Sequence, residues 1–312
     1  MVSLRPLVRV PTYLRVELTE RCPLRCEFCH AEGNRPGQVE LERERVLACI
    51  GALVGAGVRK VKLLGGEPLS RRDLPEIVAG IRGLGEAHGV TLDISMITSG
   101  VGLPDRLAAA FAAGLDRANM SIHGFSLEAF AERGGNARML ALRQKNLDAL
   151  LAGSRPLKLN YVYRGARDDA DLDALLAFSA GRPLVVGVLD ELSDPHGSPA
   201  IVEAAVTRLR GRPIERLLVA DPHSLPTTEL RFADGLRVEI KTSQLGVVAP
   251  WRECDACPAR ARCKEGIFAV RLTPDGWLQP CMDRPDWRFP LAGWVAANDG
   301  VAISRALAEA VA

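Results

Sequence analysis

Three cysteines near the start of the chain have the spacing of ligands to a metal cluster. Cys22, Cys26 and Cys29 form a C-x3-C-x2-C pattern directly after a predicted strand. Three thiolates on so short a loop can hold three irons of a [4Fe-4S] cluster, which leaves the fourth iron open to an exogenous ligand. Zinc is the alternative, but structural zinc sites take four protein ligands and this loop offers three thiols. The pattern therefore predicts a cluster with one open coordination position.

A second group of cysteines lies near the other end of the chain. It follows the pattern C-x2-C-x5-C-x17-C and consists of Cys254, Cys257, Cys263 and Cys281. Four thiolates can complete a [4Fe-4S] cluster or a four-cysteine zinc site, and the spacing alone is compatible with both. Asp275-Gly276 is typical of a tight hairpin turn, which would bring Cys281 back towards the other three cysteines.

The elements that must position these cysteines follow a strand-then-helix rhythm. Strands are predicted over 13–18, 58–64, 90–97, 115–122, 157–163 and 183–189. Helical patterns separate them, so six β/α units predict an α/β fold, a partial (β/α)₆ barrel of parallel strands with a small cysteine-rich C-terminal extension. We predict a barrel domain over 12–215, a second unit over 225–290 and a helical tail over 291–312.

Several predicted strands alternate polar and apolar residues, whereas strands of a helix-covered parallel sheet are apolar on both faces. The polar residues recur with the strand period of two and so share one face. They are Arg15, Glu17, Lys60, Lys62, Asp93, Ser95, Asn119, Ser121, Lys158 and Asn160. With helices outside, this face would line a wet, largely cationic cavity that accepts an anionic ligand. The alternative is that these residues are solvated strand ends.

Composition excludes several classes of function. The 312 residues include 40 Lys and Arg against 38 Asp and Glu, a net charge of +2, so neither nucleic acid nor a membrane surface is expected as a partner. Apolar residues make up 47% of the chain, enough for a core, yet no apolar run reaches the ~18 residues of a membrane span. The N-terminus reads as no secretory signal, so we expect a cytoplasmic protein with reduced thiols.

Two motifs together resemble those of the radical S-adenosylmethionine (SAM) superfamily. The first is the C-x3-C-x2-C loop, with aromatic Phe28 before its last cysteine. The second, Gly65-Gly66-Glu67-Pro68, follows the second predicted strand and is similar to the GGEP motif of that superfamily. Both would lie at the carboxyl edge of the sheet, where active sites of barrel enzymes collect.

The resemblance implies cofactors and a reaction. SAM would chelate the open iron of a [4Fe-4S] cluster on Cys22, Cys26 and Cys29, and the Glu67 carboxylate would pair with its methionyl ammonium. One electron from a reductant such as flavodoxin or ferredoxin would then cleave SAM to a 5′-deoxyadenosyl radical, which abstracts hydrogen from the substrate. The implied cofactor-binding residues are Phe28, Gly65, Gly66, Glu67, Pro68, Thr98 and Ser121.

The C-terminal cysteines resemble the twitch and SPASM extensions of the same superfamily. This implies an auxiliary [4Fe-4S] cluster on Cys254, Cys257, Cys263 and Cys281. Most of the chain is similar to the MoaA group of GTP 3′,8-cyclases, most clearly over 14–29, 58–74 and 160–169. That similarity implies substrate contacts at Arg15, Lys62, Lys158 and Arg271.

The sequence also departs from the MoaA group. Lys264 and Ile267 stand where the group has two of its cysteines, Ala269 replaces the first arginine of its Arg-x-Arg tract, and Ile97 replaces a threonine. We therefore expect a paralogue that acts on an anionic small molecule or a nucleotide-like substrate. A maturase of ribosomally made peptides, a true GTP 3′,8-cyclase and a non-enzymatic cluster module remain as alternatives.

Overall fold

The computed structural model describes eight stretches of the chain: 12–29, 39–153, 156–191, 198–221, 224–241, 252–258, 269–282 and 284–311. Their strands form one eleven-stranded sheet with helices on its outer face. None of the helices in these stretches is long and apolar enough to cross a membrane.

The strands and helices have the following bounds. The strands are β1 (Tyr13–Glu17), β2 (Lys60–Leu64), β3 (Asp93–Thr98), β4 (Arg117–Ser121), β5 (Leu157–Tyr163), β6 (Leu184–Asp190), β7 (Glu215–Asp221), β8 (Ser224–Arg231), β9 (Arg237–Lys241), β10 (Val270–Leu272) and β11 (Leu278–Gln279). The helices are α1 (Arg43–Gly55), α2 (Leu74–Ala87), α3 (Pro104–Ala112), α4 (Leu127–Ala131), α5 (Ala137–Ala152), α6 (Asp169–Ser179), α7 (Pro199–Arg210), α8 (Leu291–Ala296) and α9 (Gly300–Val311).

Strands β1 to β6 lie side by side in chain order and all pair in parallel, with at least one helix between each consecutive pair. Local capping helps to fix where the helices begin. The Asn136 side chain accepts a hydrogen bond from the backbone N–H of Met139 at the start of α5, and Ser198 caps α7 in the same way. The predicted parallel α/β fold is therefore confirmed.

The strands after residue 214 extend this sheet at both edges. Strand β9 pairs in parallel with β6 and continues into antiparallel β8 and β7, whereas β10 pairs in parallel with β1 and continues into antiparallel β11. Strand β7 was not predicted, because the sequence rhythm ends where it begins. The division into units at 12–215, 225–290 and 291–312 stays a prediction.

The two faces of the sheet have opposite character. Outward side chains such as Leu14, Val61, Ile94, Met120 and Leu159 are completely buried beneath the helices. Inward side chains surround a cavity of about 1030 Å³, to which residues of strands from β1 through β9 contribute, so the sheet curls around it. Seven of the ten polar residues on the predicted inner face line it: Arg15, Lys60, Lys62, Asp93, Asn119, Lys158 and Asn160. Glu17, Ser95 and Ser121 are not among its lining residues.

Candidate active site

The first cysteine group follows β1 at the carboxyl edge of the sheet. Cys22 and Cys26 are half-buried and pack against a small apolar cluster of Leu24, Val101 and Phe130. Cys29 is exposed, and its backbone N–H donates to the carbonyl oxygen of Cys26 at 3.1 Å. All three thiols are free of disulfides, so all three are available as ligands.

The environment of these thiols fits a cluster. Burial, together with the neighbouring thiols of the same loop, raises the pKa of Cys22 to about 11 and that of Cys26 to about 12. The cationic charge of a bound metal centre would stabilise the thiolates that this environment otherwise disfavours. Across the described residues, no three His, Cys, Asp or Glu side chains are grouped to hold one metal ion. A [4Fe-4S] cluster does not require its ligands to converge on one metal ion, because each thiolate binds a different iron.

The glycine pair after β2 lies directly against the backbone that leads to the cysteines. The Gly66 N–H donates to the Thr19 carbonyl oxygen at 2.7 Å, and the Glu67 N–H donates to that of Arg21 at 2.8 Å. A Cβ on Gly65, whose φ is +130°, would lie 2.5 Å from the Thr19 oxygen, and one on Gly66 would lie 2.4 Å from the Arg21 oxygen. Both positions therefore need glycine to seat the cysteine loop.

Glu67 is completely buried and serves as the acceptor that joins two loops. Its Oε1 accepts hydrogen bonds from the Leu69 N–H (2.9 Å) and the Thr98 hydroxyl (2.6 Å). Its Oε2 accepts from the backbone N–H (2.7 Å) and hydroxyl (2.5 Å) of Ser99. Burial raises the pKa of Glu67, and these four donors oppose that shift. The carboxylate thus holds the loop after β2 to the end of β3, and its pairing with a methionyl ammonium stays a prediction.

The other predicted cofactor-binding residues gather at the same edge. Pro68 begins a single 3₁₀ turn after Glu67, and Ser121 ends β4. The Phe28 ring stacks on His123 with centroids 5.7 Å apart, and the Arg133 guanidinium lies 5.8 Å from the same ring. Burial, with help from Arg133, lowers the pKa of His123 to about 4, so this imidazole is neutral at pH 7.

The central cavity is strongly cationic. Eight of its lining residues are Lys or Arg and three are Asp or Glu. It reaches from the middle of the sheet to residues that precede β2, β3 and β4, including Arg59, Leu92 and Asp116. It therefore extends from the interior towards the amino edge, opposite the edge that carries Cys22.

Each acidic residue of the cavity is already in an ion pair. Arg117 donates to Asp93 at 2.8 Å, Arg82 pairs with Asp116 at 2.9 Å, and Lys158 pairs with Glu239. The excess of cationic over acidic residues gives the cavity a positive potential that attracts anions.

Lys62 lies among the other cations of the cavity. Its Nζ is 5.9 Å from the centroid of the Tyr13 ring, and the Nζ of Lys60 is 4.7 Å from it. Burial, together with the nearby cations Arg15, Lys60, Arg117 and Lys158, lowers the pKa of Lys62 to about 7. A bound anion would favour the protonated form of this amine.

The structure brings three of the four predicted substrate-binding residues together around the cavity. Arg15, Lys62 and Lys158 line it. Arg271 is not among the lining residues, but it is the register partner of Arg15 on neighbouring β10, and both side chains are buried. Two buried guanidinium groups side by side favour an anion close to them.

The second cysteine group lies at the opposite edge of the sheet. Because β10 runs parallel to β1 and β11 runs back antiparallel, Cys281 follows β11 at the amino edge. The Cys257 N–H donates to the Cys254 carbonyl oxygen at 3.2 Å. The pKa of Arg284 is raised mainly by Asp286 and also by the Cys257 thiol, which therefore lies beside the segment after Cys281. Cys263 lies outside the described residues.

Several cavity residues were not expected from the sequence, and two of them matter for the shape and charge of the cavity. Glu239 and Gly187 both line the cavity, on β9 and β6. The run Arg237–Lys241 alternates polar and apolar residues, a signal that could have placed Glu239 on an inner face. Its pairing with β6 depends on contacts distant in sequence, which alternation does not reveal.

Comparison with known proteins identifies the superfamily of this chain. The profile of the Radical SAM superfamily matches residues 16–178. The chain is 35% identical to a probable GTP 3′,8-cyclase from Archaeoglobus fulgidus over 309 residues, which cover 97% of this chain and 95% of the relative. It is 30% identical to another from Thermoplasma volcanium, over 96% of this chain and 87% of that one.

A solved structure shares the fold. The crystal structure of Streptococcus suis SuiB bound to S-adenosylmethionine aligns with a TM-score of 0.61 at 15% identity. The alignment covers 89% of this chain and 61% of SuiB, so the chain spans less than two thirds of that protein's length.

Proposed function

Because the chain belongs to the radical SAM superfamily, we propose that it cleaves SAM reductively and abstracts hydrogen from an anionic small-molecule or nucleotide-like substrate held in the central cavity. The observation that carries this proposal is the joining of the C-x3-C-x2-C loop to the Gly65–Pro68 loop at the carboxyl edge of the sheet whose inner face lines the cationic cavity.

Cys22, Cys26 and Cys29 would hold the [4Fe-4S] cluster. When bound, that cluster supplies one electron and an open iron for SAM. The backbone around Gly65 and Gly66 would border the methionyl end of SAM, while Phe28, Thr98 and Ser121 border the rest of the site. The four donors to Glu67 hold that loop rigid, which keeps the SAM site in a fixed position relative to the cysteines.

The substrate would lie between this edge and the second cysteine group. Arg15, Lys62, Lys158 and Arg271 would attract its anionic part, as the excess of positive charge in the cavity supports. Cys254, Cys257, Cys263 and Cys281 would hold an auxiliary [4Fe-4S] cluster in a twitch- or SPASM-like region near the amino edge. A small acidic electron carrier such as flavodoxin or ferredoxin would supply the electron, and we expect this to occur in the cytoplasm.

A true GTP 3′,8-cyclase is the second candidate. The near-complete coverage of the Archaeoglobus relative favours it. Against it, Ile97, which replaces a threonine of that group, lines the cavity itself, and Ala269 replaces an arginine beside β10. The cavity wall therefore differs where a substrate would bind.

Anaerobic reconstitution tests both candidates. Two clusters predict about eight irons per chain, and one predicts about four. The loaded full-length protein, given dithionite and SAM, should release 5′-deoxyadenosine, measured by liquid chromatography. GTP should stimulate that release and be consumed only if the protein is a cyclase.

A pair of cysteine variants controls the assay. Cys26→Ala should abolish SAM cleavage, while Cys49→Ala, at a buried thiol on α1 away from both groups, should preserve it. Fully iron-loaded protein that releases no 5′-deoxyadenosine would contradict the proposed function.

A further inference from the structure

An ion pair spans three strands of the cavity wall. Lys158 on β5 pairs with Glu239 on β9, and β6 lies between these strands. The register places Gly187 of β6 beside both Asn160 and Glu239, so the lysine side chain passes over Gly187 to reach the carboxylate.

Gly187 makes this crossing possible. A Cβ at this position would lie 2.6 Å from Cε of Lys158 and 2.7 Å from Oδ1 of Asn160. Any side chain here would therefore displace the lysine from its path. The glycine weakens the strand, and the space that it leaves is used by the ion pair.

The pair divides the cavity into two unlike walls. On the β1–β2 wall, Lys60 and Lys62 face the Tyr13 ring, and no carboxylate of the cavity is in an ion pair with either of them. On the β5–β9 wall, a carboxylate stands beside the ammonium of Lys158. Along the sheet, β2 lies three strand spacings from β5 and five from β9, about 14 and 24 Å, and the curl of the sheet around the cavity shortens both distances.

The Glu239 carboxylate has acceptor capacity left over. Lys158 bonds to its Oε2, and no other donor among the described residues bonds to the group. A carboxylate has about four acceptor positions on its two oxygens. The side chain is 21% exposed and lines the cavity, so Oε1 can be reached by a ligand inside it.

We propose that Glu239 is a specificity-determining residue: it accepts a hydrogen bond from an ammonium or N–H group of the substrate, while the Lys60 and Lys62 wall binds the anionic group of the same molecule. The inference rests on the proposed function in taking the cavity as the substrate site, and it narrows the substrate class. The cavity then selects a bipolar molecule over a simple anion of equal size.

Two matched probes test this on the reconstituted holoenzyme at a fixed pH of about 8. The probes, 6-aminohexyl phosphate and hexyl phosphate, are equal in length and differ by one ammonium group. Isothermal titration calorimetry should show tighter binding of the amino probe to the unaltered protein, by about tenfold, the size of one charge-assisted hydrogen bond. Glu239→Gln should reduce this ratio to about one, with hexyl phosphate bound as well as before or better, because Lys158 is released.

Two further variants keep the result interpretable. Glu203→Gln removes an acidic group that pairs with Arg216 outside the cavity, and it should leave the ratio unchanged. Gly187→Ala keeps both charges but obstructs the path of Lys158 to Glu239, and because the Glu239 carboxylate is retained, the ratio should not fall below that of the unaltered protein. An unchanged ratio in Glu239→Gln, or no binding of either probe to the unaltered protein, overturns the proposal. SAM cleavage is scored separately, so a failure of the proposed function is distinguishable from a failure of this inference.

Discussion

The backbone of Gly66 lies so close to that of Arg21 that a Cβ on the glycine would be 2.4 Å from the arginine carbonyl oxygen. With the hydrogen bonds from Gly66 to Thr19 and from Glu67 to Arg21, this contact joins the loops after β1 and β2 into one unit. The glycines of the second motif therefore act first on the cysteine loop. Any contribution to SAM binding follows from that arrangement.

Replacement of Gly66 by alanine tests this contact. The added methyl group meets backbone, which cannot move aside as a flexible side chain would, so Gly66→Ala should cost about 1–3 kcal/mol in free energy of unfolding. It should also lower the iron content after reconstitution. Gly83→Ala is the control, because nothing lies within 4 Å of a Cβ there, and alanine in helix α2 should stabilise by up to about 1 kcal/mol. Equal stability of the two variants in urea would exclude the proposed role of Gly66.

Ser99 should be essential for the buried carboxylate of Glu67. Ser99→Ala removes the hydroxyl donor to Oε2 and leaves a buried charged group with one donor fewer. We expect a loss of about 1.5–3 kcal/mol in free energy of unfolding. Ser304→Ala, at an exposed position of α9, should stay within about 0.5 kcal/mol of the parent. Urea denaturation measures both, and a neutral Ser99→Ala would mean that Glu67 is stabilised by its other donors alone.

The lowered pKa of Lys62, about 7, predicts a pH dependence of anion binding. Protonated Lys62 attracts an anion, so affinity for sulfate, which does not titrate in this range, should fall as pH rises through about 7 and by up to tenfold per unit above it. Lys62→Met should bind sulfate weakly and without this dependence. Lys145→Met, at an exposed position of α5, should behave like the parent. Calorimetric titration with sulfate between about pH 6 and 9 measures this dependence. A sulfate affinity of the parent that does not change with pH would contradict the lowered pKa of Lys62.

The same group makes a prediction about folding stability. Its pKa in the folded protein, about 7, lies below the ordinary lysine value of 10.5, so between these values the unfolded chain binds more protons. The contribution of Lys62 to stability therefore increases as pH rises from about 7 to about 10.5. Comparison of the parent with Lys62→Met in urea at both ends of this range isolates the contribution.

Cys257→Ala should remove the proposed auxiliary cluster and leave the proposed cluster on Cys22, Cys26 and Cys29 in place. Iron content should fall by about four per chain, while SAM cleavage without substrate turnover continues, because the two cysteine groups lie at opposite edges of the sheet. Elemental analysis checks the metal directly. Loss of zinc instead of iron in this variant would show that the second group is a zinc site.

Local patterns in the sequence predicted much of the fold. The alternation of Lys60 and Lys62 with Val61 and Leu63 predicted charged side chains on the inner face of the sheet and apolar ones beneath the helices. The reason is that neighbouring residues of a strand point to opposite faces. The spacing of Cys22, Cys26 and Cys29 likewise needs only a short loop to bring the thiols together.

Features that depend on distant contacts could not be predicted in this way. Nothing local in Arg237–Lys241 indicates that this strand pairs with β6, so the ion pair between Glu239 and Lys158 was not foreseen. The burial of Glu67 among four donors depends on where β3 ends relative to β2. The pairing of these strands sets that relative position, and the GGEP motif does not reveal it.

The order of strands in the sheet also bears on how the chain is made. Strands on both sides of the six-stranded core, β9 next to β6 and β10 next to β1, come from residues after 236. During synthesis, the backbone N–H and C=O groups on the outer edges of β1 and β6 therefore have no strand partner until the last quarter of the polypeptide has been made. Strand pairing between residues so distant in sequence slows folding. Until it occurs, two unpaired sheet edges are exposed and can pair with strands of other nascent chains.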